Sequence, residues 1–454
     1  MKTSSRYIAA ETLCQVYKKQ QPVKPILEKL CQQKQLNPRE RSLAMNMVFG
    51  VLRKRQYLDI LLRKLSTVRL KKLDPFVHQA LTVGLYQLFF LDSIPESAIV
   101  NEAVNSCKTA KVHKRLHGFV NGILRNATRQ KEALANGMKE QEQEIHTTPS
   151  GLFKRWQERF GLEKARYICE INGEEPPLTL RVNSTKTSID DFEALLTREG
   201  ITGTRGPAPE SLIIEDYQGL IGDIPGYKDG LFQVQDSAAQ LASLLLLPIK
   251  SGGHYLDACA GLGGKTSHII QLGADKEIKV IAVEPDAKRK EKFITNIERL
   301  FTHHEVELHP TSLQEFKASN TQAFDGILVD APCSGTGVIR RQPDIRWNRK
   351  EEDFLQKQII QLEILSLAAE MLAPTGILVY ATCSLEIEEN EDLIKKFLLL
   401  FPDFYLTDCQ NYLPEEVGEH IRPAKDGDGS FFAPLPSKRL DGFFAARLAR
   451  RDKQ

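Results

Sequence analysis

The sequence predicts a multidomain protein: an all-α bundle, then a small α+β subdomain, then an α/β half built on a mostly parallel sheet. Three observations lead there. Apolar residues recur at helical spacing through roughly the first 130 residues, charge divides sharply between that stretch and the rest, and strand-like runs alternate with helical ones from Gly252 onward. A chain of 454 residues allows about three domains. With 41% apolar and 26% charged residues, the composition fits a folded chain and excludes wholesale disorder.

The bundle is read between about Arg6 and Arg129. Val77, Leu81, Leu85 and Leu88 mark one helix face. Val48, Val51, Leu52, Leu58, Leu61, Leu62 and Leu65 trace a second apolar stripe, interrupted by Arg53, Lys54, Arg55, Arg63 and Lys64. Pro22, Pro25, Pro38, Pro75 and Pro95 fall between the periodic segments, where proline starts or stops helices, which suggests about six short helices. Residues 1–130 carry 23 Lys+Arg against 8 Asp+Glu, a net of +15, whereas the remainder carries 38 against 51, a net of −13. The overall +2 is therefore an average of two unlike halves. An ordinary charge run is a solvated face. An excess of this size points instead to contact with RNA or DNA.

Residues 131–150, with Glu140, Glu142 and Glu144, read as a polar linker or a poorly packed helix. From Gly151 to about Pro248 the pattern is mixed, with an alternating strand at Leu178–Val182 and a helical stretch near Asp191 to Arg198. Beyond Gly252 the candidate strands are Tyr255–Ala258, Val280–Val283, Glu305–Leu308, Gly326–Val329, Ile377–Ala381 and Phe443–Leu448. Parallel sheets of this kind bind ligands beyond the carboxyl ends of their strands.

The first of these strands runs into Cys259, Ala260, Gly261, Leu262, Gly263, Gly264 and Lys265, a glycine-rich turn into a helix. It is not a phosphate-binding P-loop, because Cys259 stands where that motif needs its first glycine. Nor is it a dinucleotide fingerprint, because Thr266 replaces the third glycine. A looser loop for an adenosine-type cofactor remains, supported by Glu284 at the end of the next strand, where a carboxylate meets ribose hydroxyls. An ordinary tight turn beside a surface glutamate is the alternative. Two later strands end in Asp330-Ala-Pro-Cys333-Ser and Ala-Thr-Cys383-Ser, each with a cysteine just beyond the strand on the ligand side. One buried cysteine is usually packing. Two at equivalent strand ends beside a cofactor loop point to thiolate chemistry, which a following helix N-terminus would favour. The acidic run Glu386, Glu388, Glu389 and Glu391 pulls the other way.

No apolar run approaches the roughly 18 residues that span a bilayer. No secretory signal is read at the N-terminus, and no C-x-x-C pair suggests a metal site or a disulfide framework. A reducing cytoplasm is the expected compartment.

The two cysteine motifs and the Gly-Gly-Lys loop resemble those of the S-adenosylmethionine-dependent RNA cytosine-C5 methyltransferases. The basic helical N-terminus resembles a NusB-like RNA-binding domain, and the combination is similar to the Sun/Fmu (RsmB) branch, which acts on small-subunit (16S) ribosomal RNA. The resemblance covers nearly the whole chain. It implies a NusB-like bundle at 1–130, a linker at 131–150, an RNA-binding α+β subdomain at 151–248, and a class I, Rossmann-like methyltransferase domain with a seven-stranded sheet at 249–454. It also implies Cys383 as the nucleophile at cytosine C6 and Cys333 as the residue assisting breakdown of the adduct; spacing alone does not distinguish these roles. By the same resemblance, Cys259 to Lys265 line S-adenosylmethionine, Glu284 holds its ribose, and Asp330 sits between cofactor and base. Arg340, Arg341 and Arg346 are candidate phosphate ligands, with surface ion pairing as the alternative. Ala-Gly-Leu-Gly-Gly replaces the family's commoner Ala-Pro-Gly-Gly, and His309 to Leu313 lacks the family's adenine-contacting carboxylate. Two similar tail pieces, from Asp428 and from Asp441, stand out; the second matches the usual terminal edge strand. A transfer-RNA enzyme, or a non-catalytic RNA-binding or antitermination-type factor, are the competing functions.

Overall fold

The computed structural model describes residues 4–19, 21–92, 94–139, 150–217, 219–301, 306–425 and 428–451. Glu140, Glu142, Glu144 and Glu305 lie outside them. The chain forms two compact units, Met1–Glu175 with Ile339–Arg349, and Pro176–Val338 with Lys350–Gln454.

The first unit is helical. Ser5–Lys19, Val23–Gln33, Pro38–Arg53, Arg55–Leu65, Pro75–Phe90, Glu96–Thr109 and Lys114–Arg129 are seven α-helices where about six were expected. The extra one arises because the stripe from Val48 to Leu65 is broken at Lys54. Arg55 occupies the place where a continuous helix would need an apolar residue, and it lies over the rings of Tyr17 and Trp347 at 4.2 and 4.6 Å. The prolines act as expected. Pro38 and Pro75 open helices capped by Asn37 and Asp74, whose side chains accept from Glu40 N and from Phe76 and Val77 N. The helix Pro75–Phe90 differs from the one-faced helix predicted from Val77, Leu81, Leu85 and Leu88. Every residue from Gln79 to Leu88 is buried, so it is the central helix of the bundle and is covered on all sides. Helices Ser150–Phe160 and Leu162–Ile171 also belong to this unit.

The second unit holds two sheets. The smaller is antiparallel and consists of β1 (Leu178–Val182), β2 (Gly203–Arg205), β3 (Ser211–Ile214) and β4 (Phe232–Val234) in the order β2-β3-β1-β4. Helix Ile189–Arg198, capped by Ser188, packs Phe192 and Leu196 onto Leu180, Val182, Leu212, Ile214 and Phe232. The larger sheet starts with β5 (His254–Asp257), β6 (Lys279–Val283), β7 (Val306–His309), β8 (Phe324–Asp330) and β9 (Leu372–Thr382), all parallel. Each lies within a few residues of its sequence-predicted counterpart. It continues with β10 (Phe404–Leu406), β11 (Ile421–Pro423), β12 (Ser430–Phe432) and β13 (Phe444–Arg450), giving the order β11-β12-β13-β9-β8-β5-β6-β7, with β10 on β13.

Among the described residues, nine strands thus replace the seven implied by the resemblance. The tail explains the difference. The piece after Asp441 forms β13, which is no edge, because β9 pairs on one side and β12 and β10 pair on the other. The similar piece after Asp428 supplies β12, with Phe431 opposite Ala446 and Phe432 opposite Ala445. Each apolar repeat is therefore a strand of the same sheet.

Candidate active site

The order β9-β8-β5-β6 sets the carboxyl ends of four parallel strands side by side, and the predicted site residues follow those ends. Asp330 pairs with Ala381 across β8 and β9, and Ala331 N donates to Ala381 O at 2.9 Å. That register brings the two cysteines together, with Cys333 Sγ and Cys383 Sγ 3.1 Å apart. Gly337 N donates to Cys383 O at 2.9 Å, which ties the loops a second time. Gly337 in turn accepts from Gly442 N at 2.9 Å, and a Cβ on Gly337 would lie 2.2 Å from Gly442 O, so only glycine permits this approach.

The Cys383 thiol is held well above the ordinary thiol pKa, first by the Cys333 thiol hydrogen-bonded to it and then by burial. Lys265 acts in the opposite direction. The helix N-terminus expected to depress a thiol pKa is missing at both cysteines. Only the short turn Thr336–Val338 follows Cys333, and the helix after Cys383 begins at Glu391. The backbone after each strand is committed instead to tying the loops together.

Lys265 Nζ donates to Asp330 Oδ2 at 2.6 Å and lies 5.3 Å from the centre of the Phe443 ring. Burial lowers the Lys265 pKa, but Asp330, helped by Asp257 and Cys383, more than offsets this, and the net shift is upward. In the glycine loop, Ala260 N donates to Val283 O at 2.9 Å, and Cys259 N faces Asp257 Oδ1 at 3.4 Å. Gly263 takes φ +83° to start helix Gly264–Leu272, a conformation that L side chains resist. A Cβ on Gly261 or Gly264 would meet nothing within 4 Å, so this stretch of backbone is open to a close-approaching ligand. Leu262 contributes backbone only; its side chain is 46% exposed. Glu284 is buried at the end of β6, with Oε2 accepting from Gly261 N at 2.9 Å and Arg289 at 3.2 Å, and Oε1 accepting from Asp286 N at 2.8 Å. A carboxylate offers about four acceptor positions, so one remains for a ribose hydroxyl. Open glycines beside a buried acceptor fit an adenosine-type cofactor.

Comparison with known proteins identifies the family. The profile described as 16S rRNA methyltransferase RsmB/F matches residues 244–449, the NusB family matches residues 3–129, and an RsmF/B-like ferredoxin-like domain matches residues 148–219. Ribosomal RNA small subunit methyltransferase B of Klebsiella pneumoniae (strain 342) is 36% identical over 96% of this chain and 99% of its own length. The chain belongs to the ribosomal RNA small subunit methyltransferase B family. The protein of the same name from Shigella flexneri is 37% identical over 95% of this chain and 98% of its own. Among solved structures, a methyltransferase homolog from Pyrococcus horikoshii is 30% identical with a TM-score of 0.55, covering 66% of this chain and 95% of its own. The fold of NSun6 from the same organism, solved with SFG, is also similar at 22% identity and a TM-score of 0.58, over 67% of this chain and 99% of that one. The family is one of RNA methyltransferases.

Set in this family, the site gathers Cys259 to Lys265, Glu284, Asp330, Cys333 and Cys383 at adjacent strand ends. Two of the three arginines expected to bind phosphate are buried instead. Arg340 and Arg346 are each 1% exposed and belong to the helical unit. Arg346 donates to the carbonyls of Arg53 and Asn172 at 2.9 and 2.5 Å, and Arg53 donates to Arg340 O at 3.0 Å. Burial lowers the Arg346 pKa to about 9. A guanidinium buried inside a core does not present itself to phosphate. Arg341 is half-buried.

Sequence reasoning missed three contributors. Phe443 lies beside Lys265, and only the tertiary approach of the tail places it there. Arg181 of β1, fully buried, donates to Gly264 O at 2.9 Å and Ser267 Oγ at 2.6 Å, linking the small sheet to the helix that leaves the glycine loop. Glu389 belongs to the acidic run expected to oppose a thiolate, yet its carboxylate is wholly buried among hydrogen-bond donors. Sequence spacing does not separate it from Glu386, Glu388 or Glu391.

Proposed function

We propose that this protein methylates C5 of one cytosine in 16S ribosomal RNA, with Cys383 as nucleophile and Cys333 resolving the adduct. The 3.1 Å approach of the two sulfurs, beside the Lys265–Asp330 pair, carries this reading. Cytosine C5 is a weak carbon nucleophile. Addition of the Cys383 thiolate at C6 makes C5 enamine-like, so that C5 can take a methyl group; loss of the C5 proton to a base and departure of the sulfur as thiolate then restore the ring. S-adenosylmethionine, bound along Cys259 to Lys265 with its ribose at Glu284, supplies the electrophilic methyl group. Asp330, fixed through Oδ2 by Lys265, presents its other oxygen to the cytosine edge. Lys265 favours the Cys383 thiolate that the neighbouring thiol disfavours. The base must leave its stack to reach the sulfurs, so the substrate is a single-stranded or loop cytosine.

The segments divide the labour in this reading. Residues 1–130 attract RNA through their net charge of +15, residues 151–248 add RNA contacts, and residues 249–454 carry the chemistry in the cytoplasm. Bisulfite mapping of ribosomal RNA from cells with and without the protein tests it. One 16S cytosine that loses methylation without the protein is the expected result. Unchanged 16S methylation overturns it, and a transfer-RNA cytosine affected instead would redirect the substrate.

A further inference from the structure

The two cysteine loops share one buried acid. Glu389 is 0% exposed. Its Oε2 accepts from Ser334 N at 2.8 Å, the amide next to Cys333, and its Oε1 accepts from the hydroxyl of Ser384 at 2.6 Å, the residue next to Cys383. Gln361 Nε2 donates to the same Oε2 at 2.8 Å and to Pro332 O at 3.2 Å, while Tyr380 OH donates to the Glu389 carbonyl at 2.7 Å. Burying a carboxylate is costly unless donors replace its water, and here the donors come from both cysteine loops.

The hydroxyls between the loops are directed by this acid. Ser384 has one proton, and it goes to Glu389. The 3.0 Å hydrogen bond between Ser334 Oγ and Ser384 Oγ must therefore be filled by the Ser334 proton. Ser384 Oγ also accepts from Glu386 N at 3.0 Å, which uses its second lone pair. A glutamine at position 389 removes the charge from these hydrogen bonds. With its carbonyl kept on Ser334 N and Gln361 Nε2 it turns an NH2 to Ser384 Oγ, which forces the Ser384 hydroxyl to reverse and donate to Ser334 Oγ.

We propose that Glu389 is a positioning residue that clamps the Pro-Cys-Ser and Thr-Cys-Ser loops together and so sets the separation of Cys333 and Cys383. Its importance for the reaction rests on the two-cysteine reading above; its effect on sulfur geometry does not.

The test reads geometry and chemistry separately on the full-length protein. Phenylarsine oxide bridges two close thiols: two As–S bonds form, and the arsenic-bound oxygen leaves as water with the two thiol protons. Capture is followed by intact mass, with Cys333→Ala as the control that identifies the pair. Glu389→Gln should slow capture by about tenfold or more, the scale of one missing charge-assisted hydrogen bond, while Glu391→Gln should not. Ser384→Ala, which removes a single arm, should slow it less and decides the matter if Glu389→Gln does not fold. Wild-type capture rates in a folded variant overturn the clamp. Single-turnover methyl transfer is the second readout, expected to fall with unchanged affinity for S-adenosylmethionine. Slow capture with normal methyl transfer would uphold the clamp and overturn the reading in which both sulfurs take part.

Discussion

Cys333 and Cys383 are fifty positions apart in the chain, yet their sulfurs lie 3.1 Å from one another. Parallel pairing of β8 with β9, with Asp330 opposite Ala381, places them there. Two thiols so close can act on one base in sequence, and this defines the first expectation. Cys383→Ala should abolish methylation. Cys333→Ala should accumulate a protein–RNA adduct that survives a denaturing gel. An adduct formed by Cys383→Ala instead would reverse the assignment.

The same pair of thiols has a pH signature. The Cys333 thiol is the leading cause, ahead of burial, of the raised Cys383 pKa. A raised thiol pKa keeps Cys383, the nucleophile in the proposed reaction, protonated at neutral pH, so the first-turnover rate should climb as pH becomes alkaline. Removing the leading cause in Cys333→Ala should move that rising limb toward lower pH, measured as single-turnover adduct formation. A limb that stays in place would count against control of Cys383 by its neighbour.

Asp257, at the end of β5, is fully buried with its pKa raised from 3.8 to about 6, chiefly by burial. The folded state therefore holds this proton more tightly than the unfolded chain. Its stabilising contribution is complete below pH 3.8 and is lost as pH rises through about 6, a swing on the order of 3 kcal/mol. Asp257→Asn keeps an acceptor for Cys259 N and offers a donor to Thr266. Urea denaturation should show the variant gaining stability relative to wild type between acid and neutral pH; a constant difference would overturn this.

Arg346 should matter for stability rather than for RNA. Arg346→Ala leaves the carbonyls of Arg53 and Asn172 without this donor inside the helical unit, at a cost of about 2–5 kcal/mol in denaturant titrations. Arg341→Ala should change stability by only about 0.5 kcal/mol and is the sharper probe of phosphate binding. Equal effects of the two substitutions on stability would contradict this distinction.

Deleting residues 1–130 is a poor test of RNA capture. Residues 339–349 take partners from that region: Trp347 Nε1 donates to Leu52 O at 3.0 Å and Val23 N donates to Asp344 at 3.1 Å. Surface substitution avoids this damage. Arg115, Arg125 and Arg129 lie exposed on one face of helix Lys114–Arg129, with Gly118 and Gly122 open between them. Replacing the three arginines by glutamine should weaken RNA binding and reduce its salt slope by about 0.7 for each phosphate no longer neutralised. An unchanged slope would place the RNA on another surface.

Much of this protein is local enough to be written in the sequence. Helical spacing and five well-placed prolines outlined the bundle, and short β-rich runs located the parallel strands. The cysteine motifs and glycine loop could be assigned to one end of the sheet because strand ends are sequence features. What needed the tertiary structure was the outcome of pairing and burial. Whether Arg340 and Arg346 face phosphate or a protein interior depends on which core the segment 339–349 enters. Whether Glu389 repels or clamps depends on the donors around it, and an isolated acidic run does not reveal them. The near-zero net charge of +2 shows the same limit. Charges add along a chain without regard to place, whereas burial and hydrogen bonding, which decide what each charge does, exist only once distant segments meet.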